Sequence, residues 1–276
     1  PRSPESYTYD ADGNLVADGR WTYQWNAENR LAAMETSPNL QSDVPRLRLE
    51  FAYDAQGRRT SKKVRTLPGH NLRSHTLFLY DRWNLVAELD ALDDCRTIRT
   101  YTWGLDVSHT MQGAGGIGGL LAIHLHETPT PRTLIPVFDG RGNLVRAADM
   151  ESGEIAAIFA YGPFGARIRQ SGTHANDLPL GFSTKYHDAE TGLCYFGYRY
   201  LDPTTGRWTR RDPAGEAQGP NLYRYARNSP ILHIDPLGLA LYAFDGTGTN
   251  YDSWTHVSVL ARLYEGQVYY ADGVGS

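Results

Sequence analysis

"YDADGNLVAD", residues Tyr9 to Asp18, decides how the rest of the chain is read. An aromatic residue and an aspartate are followed by a short turn ending in Gly-Asn and then by a new apolar run. Gly and Asn tolerate the positive φ that tight hairpin turns need, so the stretch predicts two antiparallel strands joined by a hairpin. The same grammar returns as "YDAQGRRTSKK" from Tyr53, "YDRWNLVAEL" from Tyr80 and "FDGRGNLVRA" from Phe138, with a weaker copy, "YHDAETGLCYFGYRY", from Tyr186. "WTYQWNAENRLAAME" and "LRLEFAYD" lie between copies and are strand-like. One such turn says little. Several with the same flanks argue against an ordinary β domain with chance turns, and their irregular spacing predicts a continuous sheet of hairpins with insertions, not a fixed-period solenoid.

The composition agrees with a β protein. Of 276 residues, 41% are hydrophobic and 21% charged, and 18 tyrosines stand against 8 phenylalanines. Such aromatic, Gly-rich sequence favours strands. A net charge of −4 gives no reason to expect nucleic acid or an anionic membrane as partner. Two cysteines, Cys95 and Cys194, are too few for a disulfide framework, although one bridge stays open. The longest apolar tract, near Leu120 to Leu125, is too short to span a bilayer. With no leader-like start, export is expected to use a machine and no cleaved signal peptide. "PRSPESYTYD" and "YYADGVGS" read as the ends of a fragment of something longer.

The region from Gly181 to Leu239 holds the most chemistry. It has Asp-Pro steps at Asp202, Asp212 and Asp235, each of which biases the aspartate towards extended or turn geometry. "NLYRYARNSP" reads as a short helix closed by Asn228-Ser229-Pro230. Four other stretches carry less. "GFSTK" lacks the second glycine of a nucleophile elbow, which makes Ser183 structural. His124 and His126 alternate on a strand without further ligands at metal spacing, so no metal and no cofactor is expected. The Tyr/Arg pattern of "GYRYLDP…LYRYAR" looks like a base-stacking surface, but without excess positive charge it is better read as core tyrosine. The Gly-rich "MQGAGGIGGLLAIHLHE" is no phosphate loop and predicts close backbone packing or a strand crossing.

With these motifs in hand, residues 1–239 resemble the RHS/YD-repeat proteins, and more narrowly the RHS-repeat-associated core domain. "GLCYFGYRYLDPTTGRW", "NLYRYARNSP" and "DPLGL" carry the resemblance. It implies a mainly β fold in which hairpins spiral into part of a hollow shell and the core plugs one end. The region after "DPLGL" would then be a toxin, cut from the shell by the core's own aspartates and kept inside. Members include type VI secretion effectors, C components of insecticidal toxin complexes and contact-dependent polymorphic toxins. Carried onto this sequence, the scissile bond is Leu239–Ala240, and Asp212 and Asp235 are the catalytic pair. Asp212 sits in "RRDPAG", where Glu216 stands in place of the leucine many members have; Asp235 sits in the full motif. Arg211 is the candidate for holding a carboxylate ionised or binding an oxyanion, and Arg210 could serve equally. Asp202 is a weaker third acid, in a turn-like context. Peptide hydrolysis by carboxylates requires one to activate water while the other donates a proton, a split that close like charges enforce. Tethering the substrate supplies high effective molarity for a single turnover.

Beyond Leu239 the pattern changes. An apolar strand "ALYAF", a polar Asp-Gly-Thr-Gly turn, a helix-like "THVSVLARLYEG" with Val257, Leu260 and Leu263 at helical spacing, and a second strand "QVYYADGVGS" predict a βαβ start. This resembles the opening of the α/β-hydrolase-like domain of type VI phospholipase effectors, with His256 where that family usually has Asn. The sequence stops before any Gly-x-Ser-x-Gly, so this chain carries only a truncated α/β segment and no lipase activity of its own. A phosphatase reading of "FDGTGT" fails because Ala243 occupies the nucleophile's position.

The expected organisation is therefore YD/RHS repeats over 1–180, an RHS core with the autoproteolytic motif over 181–239, and the start of a variable toxin domain over 240–276. Expected partners are the cleaved toxin itself, a secretion spike or adaptor and an immunity protein, with neither nucleic acid nor direct membrane insertion. The protein would be made in the bacterial cytoplasm and exported into target cells. The competing reading is a non-catalytic shell that houses the toxin.

Overall fold

The computed structural model describes residues 6–40, 44–126, 130–239, 241–244 and 268–271. Its main element is an open antiparallel sheet of 14 strands whose spatial order follows chain order. The first seven are β1 (Thr8–Tyr9), β2 (Leu15–Ala17), β3 (Trp21–Trp25), β4 (Leu31–Thr36), β5 (Leu47–Tyr53), β6 (Arg59–Thr66) and β7 (Asn71–Asp81). They continue as β8 (Asn84–Asp90), β9 (Arg96–Trp103), β10 (Leu120–Leu125), β11 (Arg132–Phe138), β12 (Leu144–Asp149), β13 (Ile155–Tyr161) and β14 (Arg167–Ser171). A second sheet has four short strands, β15 (Tyr186–His187), β16 (Cys194–Tyr195), β17 (Tyr200–Asp202) and β18 (Arg207–Trp208). No α-helix occurs among the described residues, and none there is long and apolar enough to cross a membrane.

The repeated turn has one hydrogen-bond design. In the first copy, Asp10 Oδ1 accepts the Asn14 amide at 2.8 Å and Oδ2 accepts Asn14 Nδ2 at 3.0 Å. Asp139 holds Asn143 in the same way, at 3.0 and 2.8 Å. Asp54 does so with the Arg58 amide at 2.9 Å and the Arg58 guanidinium at 2.7 Å. In each copy the glycine before the held residue has positive φ: 78° at Gly13, 85° at Gly57 and 69° at Gly142. At the aromatic that opens the turn the strand register slips, with Tyr9 opposite Leu15, Tyr53 opposite Arg59 and Tyr80 opposite Leu85. Such a bulge adds local twist.

Two further copies escape a search for Tyr-Asp. Trp25 faces Leu31 across the same slip, with Asn26 accepting the Arg30 amide at 2.9 Å and Asn29 at φ 56°. Tyr161 faces Arg167 across another, where Gly162 and Ala166 close the turn.

The chain divides into two compact units. One comprises the chain to Trp103 with Leu121–Ile135 and Ala148–Glu154; the other comprises Gly104–Leu120, Pro136–Ala147 and the chain from Ile155. In the first, strand alternation buries Trp21, Tyr23, Leu31, Met34, Leu49, Phe51, Val64 and Phe78 on one face. The fully buried Arg59 lies between the rings of Phe51 and Phe78, 5.4 and 4.9 Å from their centroids. The excess of tyrosine and tryptophan has a cause here. Trp25 Nε1 donates to Leu15 O at 2.8 Å, Tyr53 Oη to Leu31 O at 2.8 Å and Trp103 Nε1 to Leu85 O at 2.7 Å. Each ring buries apolar area while its polar tip satisfies a carbonyl of an earlier hairpin, which phenylalanine cannot do.

The second unit is centred on aromatic packing. Phe196, Trp208 and Tyr225 meet edge-on with centroids 5.2, 5.5 and 5.4 Å apart, with Phe182, Leu201 and Cys194 around them. Of the tyrosines in "GYRYLDP…LYRYAR", Tyr200 and Tyr225 are buried, as expected of packing, while Tyr198 and Tyr223 are partly exposed. The expected helix in "NLYRYARNSP" does not form. Ala226, Arg227 and Asn228 take left-handed φ of 44°, 54° and 60°, which closes a tight turn and excludes a right-handed helix. After Leu239, β19 (Leu241–Phe244) and β20 (Val268–Ala271) pair in parallel, Leu241 opposite Val268. A parallel pair requires a crossover connection, as a βαβ start does; the expected intervening helix lies outside the described residues.

Candidate active site

The site is built within the second unit, on its aromatic core. The backbone folds back between β16 and β17, where the Phe196 amide meets Arg199 O at 3.0 Å. This turn delivers Arg199 to the interior, where its guanidinium stacks over Trp208 at 4.3 Å. After β18 the chain pairs once with Leu222, whose carbonyl accepts the Asp212 amide at 2.9 Å. Asp212 Oδ1 then accepts the Ala214 amide at 3.0 Å, and Asp212 O the Gly215 amide at 3.0 Å. Pro213 has no N–H to offer, so the first following amide that the Asp212 carboxylate can accept is that of Ala214.

Asp235 closes the "DPLGL" turn by the same logic. Its Oδ1 accepts the amides of Gly238 at 2.7 Å and Leu239 at 3.1 Å. The turn is held against the core because the Tyr198 amide donates to Leu237 O at 3.0 Å and Arg199 Nε donates to Gly238 O. Gly238 is required here: φ is +78°, and a Cβ would come within 3.2 Å of the Arg199 backbone nitrogen.

The remaining carboxylate oxygens converge. Arg199 Nη2 lies 2.7 Å from Asp212 Oδ2 and 3.3 Å from Asp235 Oδ2. All three residues are buried, with 1% of Arg199, 8% of Asp212 and 3% of Asp235 exposed. Water is thus largely displaced from two acids that share one cation. In such surroundings each charge depends on its partners, because an isolated buried ion is costly.

The other sequence candidates fall elsewhere. Arg211 is exposed, and the guanidinium between the acids is that of Arg199. Arg210 donates to Tyr198 O at 3.0 Å. Asp202 caps its own hairpin through Thr204 and Thr205. Leu239 has its amide on Asp235, and Ala240 lies outside the described residues. Ser183 is buried, its amide on Asn143 Oδ1 at 2.7 Å and its hydroxyl 3.2 Å from Tyr225 Oη. His124 bonds Thr102 and Thr133, and His126 bonds Thr100. Among the described residues no group of three or more His, Cys, Asp or Glu is placed to hold a metal ion. Arg199 was not among the sequence candidates. Its one local signal is a lone cation inside the aromatic run "CYFGYRY", where burial requires an anionic partner.

Residues 131–231 match the Teneurin YD-shell family model. The chain is 31% identical over 245 residues to toxin subunit YenC1 of Yersinia entomophaga, covering 84% of this chain and 23% of the relative. It is 28% identical over 241 residues to the tRNA3(Ser)-specific nuclease WapA of Bacillus spizizenii, covering 85% of this chain and 9% of the relative. A crystal structure of TcdB2-TccC3-Cdc42 superposes with a TM-score of 0.65 at 26% identity, over 84% of this chain and 11% of that one. The chain thus spans less than a quarter of the length of each of these proteins.

Proposed function

We propose that this RHS/YD-repeat chain is the part of a toxin that forms its container and releases the cargo, by hydrolysing the peptide bond after Leu239 with Asp212 and Asp235. The supporting observation is the convergence of both buried carboxylates on Arg199, with Asp235 also holding the amide of Leu239, the residue before the bond to be cut.

The reading requires the pair to hold one proton between them. The ionised carboxylate takes a proton from a water whose oxygen adds to the Leu239 carbonyl carbon. The protonated one gives its proton to the carbonyl oxygen. Collapse of the tetrahedral adduct breaks the C–N bond, the nitrogen of Ala240 leaves with a proton from the acid formed in the first step, and one hydroxyl proton of the adduct returns to the carboxylate that had protonated the carbonyl oxygen. Water is consumed, and the products are a Leu239 carboxyl and an Ala240 amine. Arg199 keeps the pair from becoming an uncompensated double negative charge and, through Gly238 O, fixes the turn that presents the bond. The reaction runs once, in cis, so positioning supplies most of the acceleration.

The cargo that begins at Ala240 is proposed to be a phospholipase-like hydrolase. The support is the motif order after the seam and the parallel pairing of β19 with β20. Delivery through a type VI-like system or a toxin complex, a spike or adaptor as docking partner and an immunity protein for the producing cell complete the proposal. The deciding experiment is a denaturing gel with intact-mass measurement. Wild type should give a C-terminal fragment beginning at Ala240, and Asp212→Asn and Asp235→Asn should stay full length. Normal cutting in either variant would remove that aspartate from the mechanism.

A second reading rests on the same contacts. The oxygens of both acids already accept hydrogen bonds from backbone amides or Arg199, which also describes a purely structural lock in a non-catalytic shell. A single full-length wild-type band that persists on long incubation would select it.

A further inference from the structure

The mechanism above leaves unused a buried cation of the second unit, Lys185. Lys185 follows the left-handed pair Ser183 and Thr184, is buried, and donates from Nζ to Gly115 O at 2.7 Å. Gly115 belongs to the glycine-rich loop between Gly104 and Leu120. That loop is gathered around the carboxylate of Asp106, which accepts the amides of Ser108, Ala114 and Gly116 at 2.9, 2.7 and 3.1 Å. Gly115 also lies directly against the cleavage turn, since a Cβ there would come within 2.7 Å of Pro236 O. The Lys185 ammonium stands 5.9 Å from the ring centroid of Phe196, which packs on the Trp208 that carries Arg199. One aromatic cluster therefore supports both buried cations.

We propose that Lys185 is a positioning residue for the self-cleavage: through Gly115 it clamps the glycine-rich loop onto the Asp235–Leu239 turn, and its charge sets the electrostatic balance beside Asp235. This rests on the cleavage reading above. The charges support it. Arg199 and Lys185 are set against Asp106, Asp212 and Asp235, and the Tyr225 phenol lies near Asp235. This set is neutral when the acids carry a single proton, the state that hydrolysis by an aspartate pair requires. Burial pushes the Lys185 amine down to about 7, against the pull of Asp235 and Asp106. The clamp is therefore at full charge below neutrality and loses its charge as the pH rises through that value.

The test uses the full chain, made by cell-free synthesis into denaturant and diluted into buffers from about pH 5.5 to 8.5, with cutting followed by gel and intact mass. Wild type should show a rate that falls through an inflection near pH 7. Lys185→Met, which keeps the chain's length, should cut at least about 10-fold more slowly and lack the inflection. Gly115→Ala leaves the ammonium in place but pushes the loop off Pro236, and should slow cutting while keeping the inflection. Asp235→Asn is the control. If wild type itself stays uncut, the cleavage reading fails and this inference with it. If wild type cuts while Lys185→Met matches its rate and pH profile, only this inference is overturned. Should Lys185→Met fail to fold, Gly115→Ala decides: slowed cutting supports the clamp, and cutting at the wild-type rate rejects it.

Discussion

Nη2 of Arg199 lies 2.7 Å from Oδ2 of Asp212, and neither group has more than a few per cent of its surface exposed. With Asp235 on the same nitrogen, the guanidinium compensates two buried acids at once. Removing it leaves carboxylates that water cannot reach. Arg199→Leu should therefore lower stability by about 3–5 kcal/mol. Arg199→Lys should recover only part of this, because an ammonium cannot serve Gly238 O and two carboxylates in the planar fork that Arg provides. Urea unfolding of each variant beside wild type, with both acids kept and the state of the Leu239–Ala240 bond checked by gel, would measure both. A loss below about 1 kcal/mol for Arg199→Leu would show that the pair is neutral in the folded state.

The tie between neighbouring hairpins is a second target. Tyr53 Oη donates to Leu31 O at 2.8 Å, with Arg30 stacked 6.0 Å from the same ring. Tyr53→Phe keeps the ring and removes only the hydroxyl. The expected loss is about 0.5–1.5 kcal/mol, the net worth of one such bond. The urea midpoint should fall with the slope unchanged. An unchanged midpoint would mean that water replaces the phenol on the Leu31 carbonyl, and that the tyrosine content needs another cause.

Asp54 gives the repeat a pH signature. Burial raises its pKa, but the Arg58 side chain and amide and the Gln56 amide outweigh this and hold the carboxyl below its ordinary range. A carboxyl depressed on folding contributes stability that is complete above its unfolded pKa and is lost as pH falls through the folded one. The thermal midpoint should therefore drop below about pH 4. Asp54→Asn should be mild at neutral pH, since Asn26 fills this position in its own hairpin and accepts the Arg30 amide. It should cost only the partly exposed ion pair, about 0.2–1 kcal/mol, and should flatten the acid slope. A slope equal to wild type would move the acid sensitivity elsewhere, for example to Glu50 between Arg48 and Arg65.

These contrasts explain what could be read in advance. Hairpins with Asp and Gly-Asn were legible because local hydrogen bonding imposes those residue types. The copies at Trp25–Leu31 and Tyr161–Arg167 were not, because the turn needs an acceptor or a free backbone, which Asn26 or Gly162 supplies as well as Asp. The two Asp-Pro acids were legible from their motifs and Arg199 was not. Its bond to Asp235 spans 36 residues and exists only once β16 to β18 have folded. Arg211 adjoins Asp212 in sequence, but neighbours on an extended chain point to opposite sides, which leaves it in solvent. The helix expected in "NLYRYARNSP" failed because its short polar pattern is shared with the left-handed turn at Ala226–Asn228.

Gly238 joins fold and chemistry most closely. Its φ of +78° is strained for any residue with a side chain, and a Cβ would press within 3.2 Å of both the nitrogen and the Cβ of Arg199. Relief must come from the turn, because Arg199 is fixed by Trp208 and two acids. Gly238→Ala should therefore cost about 1–3 kcal/mol and move the Leu239 amide off Asp235. If cutting depends on that seating, its rate should fall far more than the stability loss alone would imply, while Gly192→Ala, a turn glycine of similar φ with open space around it, should leave cutting unchanged. The two variants compared side by side by gel time course and thermal unfolding decide the matter. Equal cutting by both would mean that the bond is presented by something other than the Asp235 turn.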